Sequence, residues 1–207
     1  MRIKIKICGI TTYEDARIAE NLGVDALGFV FTKGDPRYIN PLKASGIIKK
    51  LPPFIAKVGV FNSEVLPEIV HACKIAAIDT IQFDGNQPPE LVSQIHLPVI
   101  KKFSVDKHFD PALLDRYEAS AFLLSLWKDY PVRDSSHSDI TWNKVKRTIS
   151  VKKNIILSGQ IGITNVREAI EEVEPYGVDI IDSVEIMPGK KNPHKMRDII
   201  KVISMCG

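Results

Sequence analysis

Residues 3–31 read IKIKICGITTYEDARIAENLGVDALGFVF, and this stretch decides the fold. Its two apolar ends, Ile3–Cys8 and Ala26–Phe31, are short and rich in Ile, Val and Phe. That composition is typical of strands buried on both faces of a parallel sheet. Between them, Thr12 is followed three residues later by an acid, close to a helix-capping box. Gly23 then stands where a left-handed residue ends a helix, so the stretch predicts a strand–helix–strand unit.

The same alternation of apolar runs and helical stretches continues along the chain. Six further runs have the strand composition, namely Ile55–Phe61, Thr80–Phe83, Val99–Phe103, Ala121–Leu124, Ile155–Leu157 and Val178–Ile181. Helical periodicity follows Thr164 and again Pro193.

Eight strand candidates indicate a closed βα repeat, because 207 residues allow about 26 per unit. No change of composition divides the chain. The sequence therefore predicts one domain over residues 1–207, folded as a single (β/α)8 TIM barrel. An open, doubly wound sheet is the alternative, although its G-x-G-x-x-G fingerprint is absent.

The composition excludes several classes of protein. Hydrophobic residues make up 44% of the chain, which excludes disorder, and 12 Gly with 13 Pro exclude a collagen-like sequence. Three distant cysteines, Cys8, Cys73 and Cys206, indicate a reducing cytoplasm and neither a disulfide framework nor a zinc site. A net charge of +3 on scattered lysine pairs does not indicate nucleic-acid binding, and no apolar run approaches the ~18–20 residues of a membrane span. We expect neither nucleic acid nor membrane as a partner.

Several motifs carry a resemblance to a known family. They follow one another as Lys6-Ile7-Cys8-Gly9-Ile10-Thr11, Gly23–Phe31, Pro36–Ile39, Val184-Glu185 and Pro188-Gly189-Lys190. In these residues the chain resembles the N-(5′-phosphoribosyl)anthranilate isomerases of tryptophan synthesis. The resemblance implies a (β/α)8 barrel that performs an Amadori rearrangement on a small phosphorylated substrate, without metal or cofactor. A monomer or a homodimer is expected.

The resemblance also assigns roles to individual residues. Cys8 ends the first strand, where the family has the base that removes the C2 proton, and Arg37 matches the arginine that binds the anthranilate part. Gln82 is a further candidate for a substrate contact. The phosphate is expected on the loops after the seventh and eighth strands, at Gly159, Gln160, Asp182 and Ser183. The structural alternatives are a buried apolar cysteine, a surface arginine and a glutamine that fills a strand end.

Five positions depart from the family pattern where chemistry is expected. Ser125 replaces the aspartate that acts as general acid, and Asp84 replaces a histidine. Gln160 and Ser183 replace glycines, and Asp182 replaces a serine. A serine hydroxyl is too weak an acid to replace a carboxylic acid at pH 7. A carboxylate beside a phosphate is repelled unless a cation intervenes.

Three hypotheses remain open at this point. In the first, the chain is a working isomerase with displaced machinery, in which Asp129 supplies the proton and Lys128 or Lys190 neutralises the phosphate. In the second, it is a barrel enzyme that acts on another ligand. In the third, it is a non-catalytic protein that retains only the scaffold, since a fold alone does not fix function.

Overall fold

Eight parallel strands form a closed ring in the order of the chain, with β8 hydrogen-bonded to β1. The computed structural model describes residues 2–106, 108–126, 146 and 154–206. The strands are β1 (Lys4–Ile7), β2 (Ala26–Val30), β3 (Ala56–Phe61), β4 (Thr80–Phe83), β5 (Val99–Val105), β6 (Ala121–Leu126), β7 (Ile155–Ser158) and β8 (Gly177–Ile180). The ring confirms the predicted (β/α)8 barrel and excludes the open sheet.

Helices follow most of the strands. They are α1 (Tyr13–Asn21), α2 (Pro41–Ile48), α3 (Leu66–Ala76), α4 (Pro89–Val92), α5 (Val166–Val173) and α6 (Pro193–Ser204). Short 3₁₀ helices cover Pro111–Arg116 and Asp182–Val184, and an antiparallel ribbon joins β9 (Glu185–Met187) to β10 (Lys190–Lys191). None of the helices that the structure describes is long and apolar enough to span a bilayer.

The helix signals read from the sequence have the expected geometry at α1. The Thr12 side chain accepts a hydrogen bond from the Asp15 amide at 3.1 Å, which caps the first turn. Gly23 adopts a φ of +81°, the left-handed conformation that ends the helix at little cost for glycine. At α5 the left-handed position is Glu174, with a φ of +51°, immediately before Pro175, which cannot continue a helix.

The core has an outer and an inner part. The outer part lies between strands and helices and includes the fully buried Phe29, Phe83 and Leu124. The inner part fills the barrel below its mouth with five apolar side chains, from Val58, Ile100, Ala121, Leu123 and Ile156. Each large apolar side chain removed from water contributes about 1.5–3 kcal/mol. This apolar layer lies below the carboxyl ends of the strands, where the functional groups of such barrels collect.

Candidate active site at the carboxyl end of the barrel

Cys8 lies immediately after β1, with only 2% of its surface exposed. Its amide donates to the carbonyl of Ile180 at the end of β8, over 3.0 Å. Gly28 on β2 lies against the thiol, because a Cβ built on Gly28 would come within 2.5 Å of the Cys8 Sγ. The neighbouring strand therefore makes room for the sulfur only as long as it carries glycine there.

A buried ion pair lies beside the thiol. Lys6 shares the inward face of the first strand with Cys8, and its Nζ lies 2.8 Å from Oδ1 of Asp179 on β8. Ser158 on β7 donates to the other carboxylate oxygen at 3.1 Å. Burial raises the pKa of the Cys8 thiol, and the Lys6 ammonium lowers it in part. Burial also disfavours the Lys6 ammonium, but Asp179 and Cys8 more than offset this, so the pKa of Lys6 lies above its usual value.

A second ion pair lies across the mouth. Lys102 on β5 places its Nζ 2.8 Å from Oδ2 of Asp84, which follows β4. Burial lowers the pKa of Lys102, but the Asp84 carboxylate raises it above its usual value. Gln82 donates to Oδ1 of Asp84 at 2.7 Å, and its own Oε1 is buried with no partner among the described residues. The strand that carries Lys102 is four positions from β1 in either direction around the ring, so the two ion pairs face each other.

Arg37 reaches the same mouth from the loop after β2. Its amide donates to Oδ1 of Asp35 at 2.7 Å, which fixes the turn that presents the side chain. A Cβ on Gly9 would lie 2.7 Å from the Arg37 Cδ, so the arginine lies directly against the residue after Cys8. Gly9 has a φ of +77°, which glycine adopts readily. The Arg37 side chain thus lies against the residue that follows Cys8, at the same end of the barrel.

The Arg37 guanidinium is held by two carboxylates. Its Nε and Nη2 donate to the two oxygens of Glu185 at 3.0 and 2.8 Å, and Nη2 also donates to Asp182. The fully buried Lys191 ammonium lies 2.8 Å from Glu185 Oε1. Burial raises the pKa of Glu185, but Arg37 and Lys191 outweigh it and hold that pKa below its usual value. Burial likewise disfavours the Arg37 cation, but Glu185 and Asp182 raise its pKa.

The positions predicted for the acid and for neutralising the phosphate are only partly covered by the structure. Ser125 is half-buried on β6, in register with Ser104 of β5 and Ser158 of β7. The predicted candidates Asp129 and Lys128 lie outside the described residues. Lys190 lies exposed in β10.

The loops after β7 and β8 touch each other. A Cβ on Gly162 would lie 3.5 Å from the Cβ of Ser183, and the Ser183 hydroxyl is buried with no partner in the described part of the chain. Gly159 has a φ of +97°, and the carbonyl of Gln160 accepts a hydrogen bond from the Asn165 amide group at 2.8 Å. The four positions predicted for phosphate binding therefore lie on adjoining loops.

Four functional candidates were missed in the sequence. They are Lys6, Asp179, Lys102 and Glu185, the last of which is the buried carboxylate that pairs with Arg37. Lys6 could have been identified from its position two residues before Cys8, because residues two apart lie on the same face of a strand. No three histidine, cysteine, aspartate or glutamate side chains of the described residues lie together in a way that could hold a metal ion.

A model of the family described as N-(5′phosphoribosyl)anthranilate (PRA) isomerase matches residues 5–202. The chain belongs to this family. A PRA isomerase from Pelobacter propionicus is 37% identical over 200 residues, covering 97% of this chain and 95% of the relative. This membership confirms the resemblance carried by the Lys6–Thr11 motif.

Solved structures of PRA isomerases have the same barrel. That from Thermotoga maritima aligns with a TM-score of 0.88 at 34% identity, over 97% of this chain and 98% of the other. A PRA isomerase in complex with reduced 1-(o-carboxyphenylamino)-1-deoxyribulose 5-phosphate aligns with a TM-score of 0.86 at 33% identity, over 97% and 98% of the two chains. The relation to this family therefore extends over nearly the whole chain.

Proposed function

We propose that this chain is a phosphoribosylanthranilate isomerase of tryptophan biosynthesis that works slowly because Ser125 stands at the general-acid position. The observation that carries the proposal is the shared location of the Cys8 thiol and the Arg37 guanidinium at the carboxyl end of the ring. The thiol can act as the base on an aminoaldose, and the planar guanidinium can bind the carboxylate of its anthranilate group. Family membership supports the same reaction.

The reaction begins with opening of the ribose ring. The anthranilate nitrogen forms a C=N bond to C1 as the bond from C1 to the ring oxygen breaks, and the ring oxygen takes a proton. The resulting iminium acidifies the proton on C2. The Cys8 thiolate removes that proton, the electron pair forms an enamine, and tautomerisation gives the aminoketose. Burial raises the pKa of Cys8, so the base is more fully available as pH rises, and Lys6 limits that increase.

The proton for the ring oxygen requires a donor other than Ser125. Loss of a positioned general acid costs about 10²–10⁴ in rate. We place the donor at Lys102, which lies on β5, opposite β1 in the ring, and whose side chain is 26% exposed. Its raised pKa keeps it protonated at neutral pH and makes it a weaker acid than a carboxylic acid. Lys102→Met should lower turnover more than Lys102→Arg, as measured by the rate at saturating substrate.

Substrate binding involves the remaining predicted residues. Arg37 binds the anthranilate carboxylate, and the unpartnered Oε1 of Gln82 accepts a hydrogen bond from a sugar hydroxyl. The adjoining loops that carry Gly159, Gln160 and Ser183 hold the phosphate, whereas the Asp182 carboxylate contacts Arg37 instead. The buried Ser183 hydroxyl, which has no partner among the described residues, is a donor available to a phosphate oxygen.

Fluorescence-monitored turnover of freshly generated phosphoribosylanthranilate tests the proposal. Cys8→Ala should reduce turnover by about 10²–10⁴. Cys73→Ala is the matched control, because Cys73 is also buried but lies on α3, with its pKa raised to about 12 by burial alone. Equal turnover in the wild type and Cys8→Ala, or none above the uncatalysed rate in the wild type, would contradict the proposal.

A barrel repurposed for another ligand is the second candidate. The observation that favours it is the Arg37 guanidinium, which already contacts two carboxylates of its own chain. Growth of a tryptophan auxotroph that lacks its own isomerase separates the two candidates. Rescue by the wild type but not by Cys8→Ala supports the isomerase, and failure of a well-expressed wild type supports the repurposed barrel.

A further inference from the structure

The Arg37 guanidinium offers two edges for a carboxylate. One edge consists of Nε and Nη2, and both of its donors contact Glu185, at 3.0 and 2.8 Å. The other edge consists of Nη1 and Nη2, whose parallel N–H groups fit a second carboxylate with two hydrogen bonds. Asp182 accepts from Nη2 and so covers half of this second edge.

The two carboxylates are held very differently. The Glu185 side chain is 6% exposed and also receives hydrogen bonds from the Lys191 ammonium and the Gly189 amide, at 2.8 and 3.0 Å. The Asp182 side chain is 65% exposed. Removing a buried carboxylate from its partners is costly, whereas an exposed one can return to water at little cost. Glu185 therefore holds the guanidinium permanently, whereas Asp182 can leave it and be replaced by another carboxylate.

We propose that Asp182 is a specificity-determining residue that competes with the carboxylate of the ligand for the outer edge of Arg37. A carboxylate that approaches Nη1 and Nη2 meets both an occupied donor and a like charge a few ångströms away. Binding then requires Asp182 to turn outward. The assignment of the ligand carboxylate to anthranilate rests on the proposed function, but the competition itself follows from the arrangement around Arg37.

The local sequence explains why Asp182 lies there. It opens the short 3₁₀ helix Asp182–Val184, which leads directly into the ribbon strand that begins at Glu185. The two carboxylates are three positions apart and meet the same guanidinium. The family pattern has serine at position 182, so this competing charge belongs to the present chain.

Titration with free anthranilate, followed by its own fluorescence, tests the proposal without turnover. Asp182→Asn should bind anthranilate about tenfold more tightly than the wild type, because it removes the charge and keeps the size. Asp198→Asn, which removes an exposed carboxylate on α6, is the matched control and should leave the affinity unchanged. Aniline, which has no carboxylate, should bind equally to all three proteins.

Arg37→Gln tests whether the gain passes through the guanidinium. In this background, Asp182→Asn should give no gain in anthranilate affinity. A gain that persists without the guanidinium overturns the proposal, as does an affinity of Asp182→Asn within twofold of the wild type. Undetectable binding of anthranilate to both the wild type and Asp182→Asn overturns it too, since the expected gain is then absent.

Turnover of phosphoribosylanthranilate, measured on the same samples, tests the proposed function separately. A protein without turnover whose anthranilate affinity still rises in Asp182→Asn contradicts the isomerase and supports the competition. A protein that turns over phosphoribosylanthranilate but shows no gain in anthranilate affinity in Asp182→Asn supports the isomerase and contradicts the competition.

Discussion

The two sides of the barrel mouth are constructed differently. On the side of β8, β1 and β2, the sealed side, the ion pair carried by the strands is buried, since the Lys6 and Asp179 side chains are 5% and 0% exposed. On the side of β4, β5 and β6 the pair of Lys102 and Asp84 is 26% and 22% exposed. The first side carries the Cys8 thiol, whereas the second carries Ser125. The buried pair holds the Lys6 ammonium beside the Cys8 thiol, whereas the partly exposed pair leaves the Lys102 ammonium accessible to water.

The largest expected effect is a gain of function on the open side. Ser125→Asp should raise turnover by about 10²–10⁴, because it places a carboxylic acid at the proposed general-acid position, between Ser104 and Ser158 of the adjoining strands. Steady-state rates with phosphoribosylanthranilate measure it. In the Ser125→Asp background, Lys102→Met should have little further effect.

Ser125→Asn is the control for this gain, because it has the shape of aspartate without an acidic proton. An equal gain in turnover with Ser125→Asn, or no gain with Ser125→Asp, would contradict the prediction that a carboxylic acid at position 125 speeds the reaction.

Removing the buried cation tests the sealed side. Lys6→Met leaves the Asp179 carboxylate buried without its partner, so the free energy of unfolding should fall by about 3–5 kcal/mol. The pKa of Cys8 should rise further, because Lys6 lowers it in the wild type. Urea denaturation gives the first quantity, and the pH dependence of alkylation by iodoacetamide gives the second.

The matched control is Lys57→Met. Lys57 pairs at 3.2 Å with Asp79, whose side chain is 45% exposed, so its loss should cost only about 0–1 kcal/mol. Similar losses of stability in the two variants would contradict the view that the Lys6 pair is special because it is sealed.

A smaller effect is expected where the thiol packs against β2. Gly28→Ala places a methyl group 2.5 Å from Sγ and 3.1 Å from Cα of Cys8, which should destabilise the fold by about 1–3 kcal/mol and displace the thiol. Turnover should fall by more than the loss of folded protein explains. Gly46→Ala on α2 meets no atom within 4 Å and should stabilise the protein by about 0.5–1 kcal/mol. Thermal unfolding compares the two variants, and unchanged turnover in Gly28→Ala would contradict the close fit.

The smallest effect concerns the outer face of the open side. Burial lowers the pKa of Lys101 from 10.5 to about 8. Between these values the unfolded chain binds more protons than the folded one, so stability should increase with pH from about 8 to about 10. We expect a contribution of about 1–2 kcal/mol, measured as the difference in unfolding free energy between the wild type and Lys101→Met at the two pH values. Lys102→Met should not remove this increase, because the pKa of Lys102 is shifted in the opposite direction.

The sequence predicted the barrel well because local patterns determine its strands. Each of the eight apolar runs overlaps one strand, and the capping of α1 by Thr12 could be read from one residue type and its spacing. Cys8 and Arg37 were predicted from a motif, and the Arg37 side chain lies against Gly9, the residue after Cys8; their roles stay predictions.

The ion pairs could not be predicted in the same way. Lys6 and Asp179 are 173 positions apart, and only closure of the ring with β8 beside β1 brings them into contact. Lys102 and Asp84 meet because β4 and β5 pair in a particular register, which the alternation of residues does not fix. The attachment of Asp182 to Arg37 was also unexpected, since the family pattern suggested a phosphate nearby instead.

The pairing of the first strand with the last also has a consequence for synthesis. During translation, Asp179 leaves the ribosome 173 residues after its partner Lys6. Contacts between distant parts of a chain form late and slow its folding. Until β8 has been translated, Lys6 and Cys8 lack the Asp179 carboxylate and the neighbouring strand. A product that is truncated before β8 cannot form this ion pair.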